Sequence, residues 1–155
     1  MHPHVVTVTE ALRAAGAHGA PVELPGSART AVLAAEQLGV EVGAIANSLV
    51  FRAADSPLLV LTSGSHRVDT ARVATLLGVV SLERADADFV RTHTGQAIGG
   101  VAPLGHPEPI GTLVDIVLAI YDVVWAAAGH PSVVFPTTYS ELLRITGGTA
   151  AEVGD

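Results

Sequence analysis

The sequence predicts a mixed α+β domain, and three observations carry that expectation. Short apolar runs of strand length are joined by tight turns. Helical apolar spacing recurs between them, with capping residues at the starts and glycine at the ends. The long crossovers of a doubly wound parallel sheet are missing. At 155 residues, 49% apolar and 15% charged, the chain is long enough for one core and too apolar for disorder. No repeat, low-complexity tract or Pro/Ser linker divides it, so a single domain over 1–155 is expected, with 1–6 as a flexible end.

Taken in order, Thr7 or Thr9 can cap a short helix running to about Ala15, where Gly16 ends it. Pro21 to Gly26 reads as a connector. From Ser27, the residues Ala28, Val32, Ala35 and Leu38 recur at helical spacing, with Gly39 as the stop. Ser48 to Arg52 and Leu58 to Thr62 flank Ala-Asp-Ser-Pro, which predicts a hairpin of two buried strands. Asp69 opens a helix carrying Val73, Leu76 and Leu77 and closed by Gly78, and Val79 to Leu82 suits a strand. Asp86 to His93 predicts a short helix leading into a glycine-rich segment, Gly95 to Gly105. Thr112 to Leu118, Val123 to Ala128 and Ser132 to Phe135 suit strands, before a last helix from Thr137 to about Thr146. The sum is four or five short helices flanking a mostly antiparallel mixed sheet of about six or seven strands.

Composition excludes several chemistries. All eight basic residues are arginine, which removes Schiff-base chemistry, a phosphate-loop lysine and a Ser-Lys dyad. Zero cysteine removes disulfides, thiol nucleophiles and zinc ribbons. A net charge of −7 argues against a large phosphate-neutralising footprint on duplex nucleic acid, while leaving room for a few arginines to touch a nucleic-acid end. Met1 to Glu10 lacks the basic and apolar regions of a signal peptide, so a cytoplasmic address is expected. The charge-free stretch Val123 to Ser140 contains Gly129, His130, Pro131 and Pro136, which argues against a membrane span. His2, His4, His18, His66, His93 and His106 form no metal-binding spacing, so no metal or other cofactor is expected. Ser63-Gly64-Ser65-His66 lacks the Gly-x-Ser-x-Gly elbow and reads as a strand-to-helix loop, in which Ser65 or Arg67 could touch a substrate.

The most unusual segment runs from Thr94 to His106. Gly99 and Gly100 remove side chains where the backbone bends or a neighbour comes close, and Pro103 fixes the exit direction. The amides of such a loop can donate to an anion or a developing oxyanion; an irregular strand with a bulge has the same composition.

This segment resembles the Gly-x-x-x-Pro loop of the YbaK/ProX family of aminoacyl-tRNA editing domains, with Gly99 and Pro103 at the two fixed places. Ala34 to Val40 is similar to that family's "AA..LGV" helix, and Ile45 to Phe51 to its "I-V-K-S/T-L-V-F" strand. Trp125 to His130 followed by Tyr139 to Leu143 is similar to its late strand and helix. Order and spacing agree over Ser27 to Val153. The resemblance implies a compact mixed fold and a metal-free hydrolase that cleaves the ester between a wrong amino acid and the 3′ end of a tRNA. At this length it resembles the free-standing members, which act in trans on a mischarged proline tRNA, with prolyl-tRNA synthetase or another synthetase as a partner.

On that resemblance Asn47, Gly99, Gly100 and Pro103 are the catalytic candidates, with the amides of Gly99, Gly100, Val101 and Ala102 as the donor surface. Val101, Ala102, Asp115, His130 and Ser65 are the substrate-binding candidates. Asn47 departs from the pattern, because the family commonly has a functional lysine there. Asn47 can orient a water or a ribose hydroxyl, or it can mark a homologue that binds without hydrolysing; as a bare residue type it also suits a turn before a strand. Asp115, alone among apolar neighbours, either anchors the glycine loop or faces the site. His130 divides between pocket lining and an ordinary turn.

Overall fold

The computed structural model describes residues 2–155. Helix α1 (Pro3–Ala14) starts four residues before the anticipated Thr7 cap. Pro3 occupies a first-turn position where its missing N–H is not needed, and the His2 ring Nδ1 accepts from the His4 amide. Val5, Val8 and Leu12, spaced by three and four, bury one face. Residues 3–6 are therefore held in the helix, with Val5 only 1% exposed, rather than forming a loose end.

Four further helices are capped by side chains, but the one expected from Ser27 starts only at Ala31, because Ala28 N donates to Pro131 O and Thr30 is the cap. Thr30, Asp69, Asp86 and Thr138 each accept from the third amide of α2 (Ala31–Leu38), α3 (Thr70–Leu77), α4 (Ala87–Thr94) and α5 (Tyr139–Thr146). Each such cap contributes about 1 kcal/mol. In α3 the buried residues are Val73 and Ala74, while Leu76 and Leu77 are exposed, so its apolar face is narrower than the sequence suggested.

The sheet has eight strands: β1 (Val22–Glu23), β2 (Ile45–Ala53), β3 (Ser56–Ser63), β4 (Leu82–Arg84), β5 (Gly111–Asp115), β6 (Val124–His130), β7 (Val133–Thr137) and β8 (Thr149–Ala151). Their order is β1-β7-β6-β2-β3-β5-β8, with β4 added beside β2. The pairs β1/β7, β2/β3, β2/β4 and β6/β7 are antiparallel, and β2/β6, β3/β5 and β5/β8 are parallel. The extra strands β1 and β8 are two- and three-residue edge segments, the first inside the expected connector. The strand anticipated at Val79 to Leu82 lies instead at Leu82–Arg84. The run from Thr112 stops at Asp115, because that side chain accepts from the Val117 amide and turns the chain into a 3-10 segment, Ile116–Ile120.

Strand β3 explains its own continuous apolar run, since both its faces are covered. Leu59 and Leu61 pack with Val8, Val114, Phe135 and Leu142; Leu58 and Val60 pack with Phe51, Val73, Leu113 and Val153. A third cluster, Leu24, Ala28, Ala34, Ala35, Ile45 and Val134, lies beneath α2.

What positions the site is a split along β2. Its start, Ile45 and Ala46, pairs with β6, and its end, Phe51 to Ala53, pairs with β4. Between them Asn47 to Val50 keep β3 on one edge and have no strand on the other. Among the described residues no helix is long and apolar enough to cross a membrane, and no cluster of side chains is arranged to hold a metal.

Candidate functional site

The loop after α4 fills the split in β2. Gly99 and Val101 lie against the open edge and divide it into two hollows. The first is lined by Arg29 and Thr30 before α2, by Ala31 and Ala34 within it, by Ile45 to Ser48, by Trp125 to Ala127, and by Val134. The second is lined by Ser48 to Phe51, Arg84, Ala85, Val90 and Ile98. Ser48 is shared by both, and its buried Oγ has no hydrogen-bond partner.

The loop is clamped from behind. Thr94 Oγ1 donates to Val90 O at 2.7 Å and accepts from the Gln96 amide at 3.0 Å. Gln96 Oε1 then accepts from the Ala102 amide at 2.7 Å, and His106 Nε2 donates to Ala102 O at 2.8 Å. Burial holds the His106 ring below the usual histidine range, against the opposing pull of that bond to Ala102.

Two glycines are required here for different reasons. Gly99 has φ +91°, a conformation L side chains rarely adopt. Gly100 lies so close to the next turn that a Cβ would stand 2.8 to 2.9 Å from the backbone of His130 and Pro131.

Not all four loop amides are available for substrate. The Ala102 amide already donates to Gln96, and the Gly100 amide donates to Ala97 O at 3.1 Å. Of the four amides expected as donors, those of Gly99 and Val101 are the two that no other group takes up among the described residues. Ala102 and Pro103 are buried behind the loop, not in its face.

The other anticipated residues divide clearly. Asn47 lines the first hollow, and among the described residues no protein group engages its carboxamide. Asp115 does not reach the cleft: it is 0% exposed, and Oδ2 accepts from Ser63 N at 2.9 Å while Oδ1 accepts from Val117 N at 3.0 Å. His66 Nδ1 approaches the same Oδ2 at 3.0 Å. Asp115 thus braces the end of β3 and the 3-10 segment. Ser65 is part of that neighbourhood, its Oγ 3.0 Å from Ser63 Oγ, and lies outside both hollows. His130 contributes backbone against Gly100, while its ring meets that of His2 at a tilt of 53° with centroids 5.0 Å apart and its Nδ1 accepts from Ser132 N.

Arg29, Thr30, Ser48 and Trp125 line the cleft, and Gln96 and His106 support it, though none stood out in the sequence as a site residue apart from its neighbours. Ser48 had a signal, its place beside Asn47. Gln96 had none, since a clamp six residues away is visible only once the loop has closed.

Residues 26–145 match the model of the aminoacyl-tRNA editing domain. The chain is 30% identical over 121 residues to the uncharacterized protein YwhH of Bacillus subtilis, spanning 77% of this chain and 76% of that protein. It is 34% identical over 100 residues to the proline–tRNA ligase of Nitratidesulfovibrio vulgaris, covering 64% of this chain but only 17% of the ligase. A solved structure described as "a putative trans-editing enzyme for prolyl tRNA synthetase" superposes with a TM-score of 0.94 at 42% identity, covering 100% of this chain and 99% of the other. On these grounds the chain belongs to the aminoacyl-tRNA editing domain family.

Proposed function

We propose that this chain is an aminoacyl-tRNA deacylase that acts in trans, hydrolysing the ester of a proline tRNA carrying a wrong small amino acid. The observation that carries the reading is one cleft in which the unspent amides of Gly99 and Val101, on a clamped loop, share a hollow with the uncommitted carboxamide of Asn47. The family match and the likeness to the trans-editing structure support it. The small side chains of Ala28, Ala31, Ala34, Ala46, Ala126 and Ala127 in the same hollow suit a small amino acid.

An aminoacyl ester is already activated, so holding it beside a positioned water is a sufficient strategy. Asn47 orients that water or the terminal ribose hydroxyl. The water oxygen adds to the ester carbonyl, and the amides of Gly99 and Val101 donate to the oxyanion that develops. Collapse of the tetrahedral species breaks the bond to the ribose oxygen, which takes up the proton lost by the attacking water, and releases the free amino acid and the tRNA. The net charge of −7 makes naked tRNA a weak ligand, so a synthetase supplies part of the affinity in the cytoplasm. Nanomolar binding of naked tRNA at physiological salt would count against that partner.

A second reading rests on Asn47 itself. It carries no charge where the resembling family commonly has a lysine, which favours a module that holds an aminoacyl-tRNA end without cleaving it. Turnover separates the two. The test uses proline tRNAs charged with alanine, cysteine, serine or proline, incubated with the protein, with Asn47→Ala, and without enzyme. Release from one mischarged species, lost in the variant, is the expected result; binding without release across the panel selects the second reading.

A further inference from the structure

We propose that Arg29 receives the 5′-phosphate of the substrate's terminal nucleotide and thereby supplies the positive charge that position 47 lacks. The inference deepens the reading above and rests on it, because it takes the occupant of the cleft to be a nucleotide end.

The first hollow contains one charged side chain, Arg29, and no carboxylate. Among the described residues Arg52, Arg72, Arg91 and Arg144 each stand within 4.0 Å of a carboxylate oxygen; Arg29, like Arg13, Arg67 and Arg84, has no such partner, and of these four it alone lines the first hollow. The backbone on either side of it is nonetheless held. Ala28 N donates to Pro131 O at 3.0 Å on one side, and Thr30 Oγ1 accepts from Leu33 N at 3.2 Å on the other. The stem lies on the glycine loop: a Cβ built on Gly99 would meet Arg29 Cγ at 3.4 Å and Cβ at 3.5 Å. The aliphatic stem packs on the loop while the residue stays exposed, so the charged head remains in water and is free to meet an incoming anion.

The chemistry selects the ligand. A guanidinium presents paired N–H donors that match two phosphate oxygens, and it remains charged at any physiological pH. The ester to be cleaved lies on the terminal ribose, so the phosphate nearest to it is the 5′-phosphate of that same nucleotide. In a chain with a net charge of −7 the overall field repels phosphate, and a local cation is needed to hold one in place.

Adenosine and AMP are suitable probes, since they differ only in that phosphate. Binding is followed by NMR through the amide signals of Gly99 and Val101. Wild type is expected to bind AMP about tenfold more tightly than adenosine, as one charge-assisted contact predicts. Arg29→Gln should abolish the difference while leaving adenosine affinity unchanged, and Arg29→Lys should keep part of it. Equal affinities in wild type, no AMP binding at all, or a variant that weakens both ligands alike would overturn the proposal. Deacylation by wild type is measured separately. Its failure with the AMP preference intact sinks the hydrolytic reading alone, and its success with no AMP preference sinks the role of Arg29 alone.

Discussion

The two walls of the cleft are built on opposite principles. The glycine-loop wall is clamped: Thr94, Gln96 and His106 bond to it from behind, leaving the Gly99 and Val101 amides and the buried Gln96 Nε2 among the groups without a partner in the described residues. The β2 wall is underdetermined, with Asn47 uncommitted and Ser48 Oγ buried without a partner. Buried polar groups are ordinarily paired, so a set of unpaired ones facing a hollow describes the ligand they await. On the proposed mechanism the clamped loop holds the oxyanion donors rigidly while the β2 wall offers side chains that no internal bond holds, so substitutions on the two should fail in different ways.

The largest effect is expected on the fixed wall. Gly100→Val places side-chain atoms against the backbone of His130 and Pro131, where even a Cβ would lie at 2.8 Å. It should destabilise the fold by about 3 kcal/mol and abolish deacylation together, as read by urea melts and turnover. A variant that loses activity with an unchanged midpoint would show that the loop yields locally. On the opposite wall Asn47→Ala should lower kcat by about a hundredfold, the usual cost of one positioned donor. Its melting temperature should stay within about 2 °C of wild type, since no internal bond is lost. A matching fall in stability would mean that Asn47 belongs to the scaffold.

A smaller effect separates the walls by pH. The His106 pKa is lowered by burial, so the unfolded chain takes up that proton before the folded one does. The stability this neutral ring contributes is complete above its unfolded pKa of about 6.5 and is lost as pH falls from there toward the folded value. His106→Gln keeps a donor for Ala102 O without the titration. Between pH about 7.5 and about 5.5 the urea midpoint of wild type should fall further than that of the variant. Parallel curves would show that the ring is not held neutral by the fold.

Much of the scaffold was legible because it is local. Asp69 and Asp86 announce helices within one turn of themselves, and β2 and β3 announce a hairpin through the turn between them, whereas the start expected at Ser27 lies at Thr30. The strands that escaped, β1 and β8, have two and three residues and exist only because β7 and β5 offer them an edge. The same division runs through the site. The Gly99 loop and Asn47 stood out as residue patterns, and both reach the cleft. Arg29 did not, because it becomes a cleft residue only when the chain before α2 ties to Pro131 O. Asp115 and His130 are candidates through residue type and resemblance, and neither can say that one carboxylate will be consumed by Ser63 N or that one ring will tilt against His2.

The finest test of the contrast lies at Ser48. Its Oγ is buried with no partner in the protein, so Ser48→Ala removes a desolvated group that returns nothing to the folded state. Stability should therefore be unchanged within about 0.5 kcal/mol or slightly raised, the reverse of what losing a satisfied buried hydroxyl does. If the hydroxyl bonds to substrate instead, the same change should raise KM or lower kcat by about tenfold. Ser48→Thr, which keeps the hydroxyl and suits a strand, should recover most of that loss. Unchanged kinetics with raised stability would make Ser48 a flaw in packing and leave Asn47 as the sole uncommitted group on its wall. Lowered stability would instead give Ser48 an internal partner, and the two walls would differ less than their hydrogen bonds imply.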